Sequence, residues 1–148
     1  MDKFQELLWD LGELIDLPLH VDKNHACNLL LDETLEAQIQ LDAHGEHLMI
    51  CAFIADVPPG RFRENVLKDA LKVNGEYHPF GTLAFYEKKN LLILHQYLLL
   101  EKLSGEKLSQ ALELFLEEAK EWQQAINSGA SAPIKYHTNT GKPPPFMK

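Results

Sequence analysis

Apolar side chains recur at helical spacing in the N-terminal segment and stop just before Pro18, which cannot continue a helix. At about 100° per residue these positions fall within one arc, which predicts an amphipathic helix of about four turns. Trp9 lies outside the arc, among polar positions, so we expect its indole to be exposed. The arc consists of Phe4, Leu7, Leu8, Leu11, Leu14 and Ile15.

Three strands are predicted after this helix. Leu35–Leu41 alternates apolar and polar residues, which is typical of a strand with one buried face. Cys27–Leu31 precedes it and Leu48–Ala55 follows a turn at Gly45, so the order predicts an antiparallel meander. The third strand is apolar on both faces, which favours a central position in the sheet.

A second helix is predicted between two breaking signals, Pro58-Pro59-Gly60 and Asn74-Gly75. Its apolar positions cover about half of the helix circumference, more than the roughly 100° stripe needed to rest on one core. Part of this arc must pack inward, and the remainder indicates a second apolar contact. We therefore predict a homodimer interface that includes Phe62, Val66, Leu67, Ala70 and Leu71.

The C-terminal half adds a hairpin and a long helix. The hairpin strands are Thr82–Glu87 and Leu91–Leu100, and Ser104 is the predicted N-cap of the last helix. The predicted fold is α+β: helix, three-strand antiparallel meander, helix, two-strand hairpin, helix. Residues 1–127 form one domain, and the Pro-containing basic tail 128–148 is predicted to be flexible. The third and fifth strands leave an apolar sheet surface that three helices do not fully cover, which is typical of a partner site.

The charge of the chain excludes one class of partner. The net charge is −8, and because residues 127–148 hold three of the 14 basic residues and none of the 22 acidic ones, residues 1–126 carry −11. Such a body repels phosphate backbones, so we expect no nucleic-acid partner. The chain shows no signal-peptide pattern and no apolar run long enough to span a membrane, which predicts a cytoplasmic protein with no membrane insertion.

No motif indicates catalysis. The sequence lacks GxSxG, GxxxxGK and GxGxxG patterns, and we expect no cofactor, no nucleotide and no metal. His44-Gly45-Glu46-His47, near His20 and His25, lies on a predicted turn and is interpreted as surface histidines. Cys27 and Cys51 are interpreted as buried reduced thiols, with the option that they face one another on neighbouring strands. The acidic run at Glu117-Glu118, with Glu113 and Glu121, is interpreted as a solvated helix face.

Residues 1–127 resemble the class I chaperones of bacterial type III secretion, the Tir-chaperone family. The likeness is carried by residues of all three helices and of two strands. They are Leu7, Leu8, Leu11 and Gly12; Cys27-Asn28-Leu29; Leu71-Lys72-Val73-Asn74; Gly81-Thr82-Leu83-Ala84; and Phe115, Ala119 and Trp122. The resemblance implies a homodimer joined through the second helix, with an unfolded effector segment wrapped around the outside in apolar grooves. The basic tail departs from the family pattern.

The resulting hypothesis is a cytoplasmic virulence-associated chaperone that keeps the N-terminal region of a secreted effector extended and export-competent, with the secretion apparatus as a possible further partner. A dimeric regulator of the same fold, or a small enzyme with an unrecognised site, are the alternatives. The first helix and the adjacent sheet are predicted to bind the effector, with Trp9 either as an anchor or as a cover over Leu17, Leu19 or the tail. The predicted effector-binding residues are Phe4, Leu8, Trp9, Leu11, Leu29, Leu31, Met49 and Phe53.

Overall fold

The computed structural model describes residues 2–31, 33–76 and 80–137. Its main helices and strands follow the predicted order, with boundaries that differ from the prediction by a residue or two, and a short helix that was not predicted follows the long last one. They are α1 (Lys3–Ile15), β1 (Ala26–Leu31), β2 (Leu35–Leu41), β3 (His47–Asp56), α2 (Arg61–Asn74), β4 (Thr82–Tyr86), β5 (Leu91–Leu99), α3 (Gly105–Asn127) and a short α4 (Ile134–His137).

The strands form one antiparallel sheet in the order β1-β2-β3-β5-β4, so the predicted meander and the central position of β3 are confirmed. Residues that pair across neighbouring strands share a face. Ile39 lies opposite Ile50, and both are fully buried on the face that we call the core face. Met49 lies opposite Tyr97 on the other side, which we call the outer face.

Short polar side chains cap the starts of α1 and α3. Asp2 accepts a hydrogen bond from the backbone N–H of Gln5, whose side chain in turn accepts from the backbone of Asp2, and this reciprocal pair begins α1. The Ser104 hydroxyl accepts from the backbone N–H of Lys107, which confirms the predicted N-cap of α3. Both caps satisfy backbone donors that the helix itself leaves without partners.

The core lies between the core face of the sheet and the pair α1 and α3. Trp122 and Phe115 of α3 and Phe4 of α1 are among its largest buried side chains. The two helices approach closely at Gly105, where an added Cβ would lie 2.7 Å from the Cβ of Asp10. Only a glycine allows this approach, because real Cβ atoms do not come so near one another.

The structure corrects three interpretations of the sequence. Cys27 and Cys51 do not face one another: Cys27 is on the core face of β1, Cys51 is on the outer face of β3, and β2 lies between them. Glu118 does not belong to a solvated helix face, because only 2% of its surface is exposed. Residues 128–137, assigned to a flexible tail, pack against the domain; residues 138–148 of that tail lie outside the described residues.

Candidate client-binding surfaces

Four of the predicted effector-binding residues belong to the core of the single chain. Phe4, Leu8 and Leu11 are at most 1% exposed, and Leu29 is 4% exposed. Phe4, Leu7, Leu8 and Leu11 form the part of the apolar arc by which α1 rests on the sheet and on α3, and they offer no contact to a client. We correct the predicted site accordingly and remove Phe4, Leu8, Leu11 and Leu29 from it. Leu14, in the last turn of the same arc, is 53% exposed, contrary to the predicted buried face.

Trp9 lies outside that arc, as predicted, and 61% of its surface is exposed. It lines an open groove of about 370 Å³ at the C-terminal end of α1, together with Gly12 and the segment that follows the helix. The remaining lining residues are Leu8, Glu13, Asp16, Leu17, Pro18, Leu19 and His20. Leu17 and Leu19 therefore line the same groove as the Trp9 indole but leave most of the indole exposed. The groove combines an apolar wall with two carboxylates; we name it the Trp9 groove.

Gly12 shapes this groove. The backbone N–H of Leu17 donates to the Gly12 carbonyl at 3.1 Å, and the chain then folds back across the helix. A Cβ at Gly12 would lie 2.9 Å from the Leu17 carbonyl oxygen, so a larger residue forces this segment outward. A glycine inside an amphipathic helix was the sequence signal for such a close approach.

The groove contacts β1 through its lining residue His20. The backbone of His20 hydrogen-bonds to the Cys27 thiol. The backbone N–H of Asp22 donates to the Ala26 carbonyl at 2.9 Å, and the Asp22 carboxylate accepts from the Ala26 N–H at 3.0 Å. Asp22 thus blocks the first residue of the edge. His25 bonds to Leu41 of β2, so alternation along the strand turns the N–H and C=O groups of residues 26, 28 and 30 away from the sheet.

Asn28 and Leu30 leave this edge open. Among the described residues neither has a backbone hydrogen-bond partner on the side away from β2, and Leu30 is 56% exposed. Each presents one donor and one acceptor in the arrangement that an additional antiparallel or parallel strand requires. We call this segment the β1 edge.

The opposite edge, β4, is closed by a side chain. Nδ2 of Asn74, the last residue of α2, donates to the Leu83 carbonyl at 2.8 Å, and Oδ1 of Asn74 accepts from the Leu83 N–H at 2.9 Å. The amide of Asn74 therefore occupies the two backbone groups of Leu83 that a further strand would use. This contact blunts the edge in the way that natural sheets limit unwanted pairing.

The predicted sheet residues divide between the two faces. Leu31 is half-buried on the core face, against the core, whereas Met49 and Phe53 are half-buried on the outer face. They do not form one surface. The outer face also carries Tyr97, which is 58% exposed, and Leu30 at its margin, so an apolar surface remains on the side that α1 and α3 do not cover.

The apolar arc of α2 is likewise divided. Val66 and Ala70 are at most 5% exposed and pack in the core of the chain, so we remove them from the predicted dimer interface. Phe62, Leu67 and Leu71 face outward to different extents, with Leu71 71% exposed, Phe62 36% exposed and Leu67 half-buried. We expected part of this arc to pack inward. Which residues do so depends on the rotation of α2 about its own axis where it packs over β4.

Arg63 fixes that rotation near the start of α2. Its Nε donates to the Val57 carbonyl at 2.8 Å, its Nη2 donates to Asn90 Oδ1 at 2.5 Å, and the guanidinium lies 4.8 Å from the centre of the Phe85 ring. The helix is thereby held against the end of β3 and the β4–β5 hairpin. The outward positions of α2 are presented by a rigidly seated helix.

The two thiols carry no sign of activation. Burial raises the pKa of Cys51 to about 11, and burial is also the main reason that the pKa of Cys27 is raised. Both remain protonated at neutral pH and pack as small apolar groups. Within residues 2–31, 33–76 and 80–137, no three or more His, Cys, Asp or Glu side chains converge in a way that would hold a metal ion. None of the helices described there is both long and apolar enough to cross a lipid bilayer.

The chain folds as a five-stranded antiparallel sheet with helices on its core face and an exposed apolar surface on its outer face. This is the fold of the type III secretion chaperones. Residues 6–123 match the family model of the Tir chaperone protein (CesT) family, and the chain belongs to this family. It is a type III secretion chaperone, from a family of chaperones and not of enzymes.

Solved structures agree with this assignment. The HopA1–SchA chaperone–effector complex contains a chain that is 25% identical, with a TM-score of 0.66 over 83% of this chain and 94% of that one. The ExsC–ExsE complex contains one that is 26% identical, with a TM-score of 0.67 over 84% and 96%. The Yersinia pestis chaperone SycH, solved with a fragment of YscM2, shares the fold at 16% identity, a TM-score of 0.62 and coverage of 78% and 96%. A search of curated proteins gave no match.

Proposed function

We propose that this chaperone is a homodimer that binds the N-terminal region of a secreted effector in extended form and keeps it soluble and export-competent. The observation that carries the proposal is the open β1 edge, together with the Trp9 groove, whose lining residue His20 contacts β1 at Cys27. An extended client segment adds to Asn28 and Leu30 as a further strand, and its apolar side chains enter the groove. The related complexes with HopA1 and ExsE support a polypeptide as the ligand.

A favourable free energy of client binding requires both the β1 edge and the Trp9 groove. Ordering an extended residue costs about 1–2 kcal/mol, whereas one backbone hydrogen bond returns only about 0.5–1.5 kcal/mol net. Strand addition alone therefore does not stabilise the complex. Apolar anchors supply the rest at about 25 cal/mol per Å² of buried surface, and the indole of Trp9, 61% exposed, offers a large apolar surface in the groove.

The charge of this region selects the client. Glu13 and Asp16 line the Trp9 groove, and the body of the chain is strongly acidic. A client segment with alternating apolar residues and a few basic ones satisfies both the groove and its carboxylates. The same charge keeps the loaded complex soluble and disfavours nucleic acid. We propose that the chain itself acts without cofactor, metal or catalysis, in the cytoplasm, and delivers its client to the secretion apparatus.

Replacing Trp9 with alanine tests the groove. The client is identified by affinity capture from the native cell, and a peptide of its N-terminal region is titrated by calorimetry. Trp9→Ala is expected to weaken binding by about 2 kcal/mol, because aromatic anchors dominate such interfaces, and to leave the melting temperature unchanged. Leu114→Ala is the matched control, since Leu114 is 52% exposed on α3 and lies away from the groove. Unchanged affinity in a folded Trp9→Ala protein removes the groove from the site and directs the search to Met49 and Phe53.

The dimer is tested at Leu71. This side chain is 71% exposed in the single chain, so Leu71→Glu has no folding penalty of its own, but in an interface it buries a charge without a partner. We expect the variant to be a folded monomer by light scattering, with Leu114→Glu as the dimeric control. A Leu71→Glu protein that dimerises as tightly as the parent excludes this face of α2.

A further inference from the structure

The chain reverses direction immediately after α3. The backbone N–H of Ala130 donates to the Ala125 carbonyl at 2.8 Å and that of Gly129 to the Ile126 carbonyl at 3.0 Å, the two bonds of a Schellman cap. Gly129 has φ +90°, a conformation that other residues rarely adopt. Residues 128–137, which we call the C-terminal strap, therefore run back along α3. They lie beyond residues 6–123, the part of the chain that matches the family model.

The strap is fastened to α3 at a buried carboxylate. Glu118, 2% exposed, accepts hydrogen bonds from the Tyr136 hydroxyl at both of its oxygens, 2.8 Å at Oε2, and forms an ion pair with Lys135 at 2.9 Å. Lys135 also lies 2.6 Å from Oε2 of Glu121. The Tyr136 ring packs beside the indole of Trp122, with 5.9 Å between centroids. A charge this deeply buried requires such partners.

The two strap residues of this cluster keep their protons at neutral pH. Burial, followed by the hydrogen bond to Glu118, raises the pKa of Tyr136, so its hydroxyl keeps the proton that it donates. Partial burial acts to lower the pKa of Lys135, but its contacts with Glu121 and Glu118 outweigh that effect and raise it. At neutral pH Tyr136 is therefore a hydrogen-bond donor and Lys135 a cation, as their contacts with Glu118 require.

The other side of the strap reaches α2. The Ser131 hydroxyl donates to Asp69 Oδ2 at 2.5 Å, and the Lys135 ammonium lies 5.8 Å from the centre of the Phe80 ring, just before β4. Ala132 and Pro133, between these contacts, are buried. The strap consequently bridges α3 and α2, whose own main packing partner is the edge strand β4.

We propose that the C-terminal strap is a clamp that holds α2 in place from its fastening on Glu118, so that loosening the strap loosens α2 while α1 and the sheet stay ordered. The Ser131–Asp69 bond transmits the restraint, and the Glu118 cluster anchors it. Where α2 also forms the subunit interface, which rests on the proposed function, the strap stabilises the dimer from outside the interface.

Amide hydrogen exchange of the full chain, followed by mass spectrometry, tests the clamp. Ser131→Ala removes the link to α2, Tyr136→Phe weakens the anchor while keeping the ring, and Ile134→Ala, at an 81% exposed position of the same segment, is the matched control. We expect peptides from residues 61–74 to exchange about tenfold faster in the first two variants, with residues 3–15 and the Ile134→Ala protein unchanged.

Two results overturn the clamp. If residues 61–74 exchange at the parent rate in both variants, the strap is passive. If α1 and the sheet accelerate as much as α2, the strap stabilises the whole fold and not α2. Light scattering of the same variants measures dimerisation and so tests the clamp separately from the proposed dimer. If α2 exchanges faster while dimerisation is unchanged, the clamp is supported and the dimer interface assigned to α2 is contradicted.

Discussion

The two edges of the sheet differ in how their backbone groups are treated. At β4 the amide of Asn74 occupies both outward groups of Leu83, whereas at the β1 edge the outward groups of Asn28 and Leu30 have no partner among the described residues. An open edge is a liability for a protein that only has to stay soluble, because it templates pairing with other chains. The open edge supports the proposal that the client binds at β1, and the exposed residues of α2 support the proposal that the subunits associate there.

Removing the closure at β4 is expected to have the largest effect. Asn74→Ala leaves the N–H and C=O of Leu83 without partners in a part-buried position, which costs about 2 kcal/mol of the free energy of unfolding. Urea denaturation measures this loss, and faster aggregation is expected because the second edge is then open. Asn65→Ala, at an exposed position of the same helix, controls for helix propensity. Equal stability of the two variants would show that Asn74 does not seal the edge.

Blocking β1 is expected to have a smaller effect, confined to binding. The N–H of Leu30 points away from β2, so Leu30→Pro removes a donor for an added strand without removing a bond of the sheet, as edge strands tolerate. We expect about tenfold weaker binding of the client peptide, the equivalent of a lost backbone hydrogen bond plus the steric effect of the ring. Leu30→Ala keeps the N–H and is the control. If the alanine and proline variants bind equally, the backbone of residue 30 takes no part.

The order of the elements could be read from the sequence because each signal is local. Alternation in Leu35–Leu41, helical spacing before Pro18 and the capping residue Ser104 depend on neighbours along the chain, and the structure confirms all three. The exposure of Trp9 followed from the same periodicity.

The site was harder to predict because it depends on contacts between distant segments. The spacing of apolar residues does not specify which of them contact the core. Six residues were therefore predicted to lie in the effector-binding site or the dimer interface although they are buried: Phe4, Leu8, Leu11, Leu29, Val66 and Ala70. The closure of β4 by Asn74 and the burial of Glu118 under Tyr136 involve polar side chains whose partners no periodicity specifies. For the Trp9 groove, the sequence offered one signal, the glycine at position 12 within a predicted helix.

The most direct test of the β1 edge is the exchange of individual backbone amides, measured by NMR with and without the client peptide. In the free protein the amides of Asn28 and Leu30 should exchange rapidly, and that of Leu83 slowly because Asn74 holds it. We predict that the peptide slows the exchange of the Asn28 and Leu30 amides by about tenfold or more and leaves that of Leu83 unchanged. Protection that appears only elsewhere, with Asn28 and Leu30 exchanging as in the free protein, would contradict strand addition at this edge.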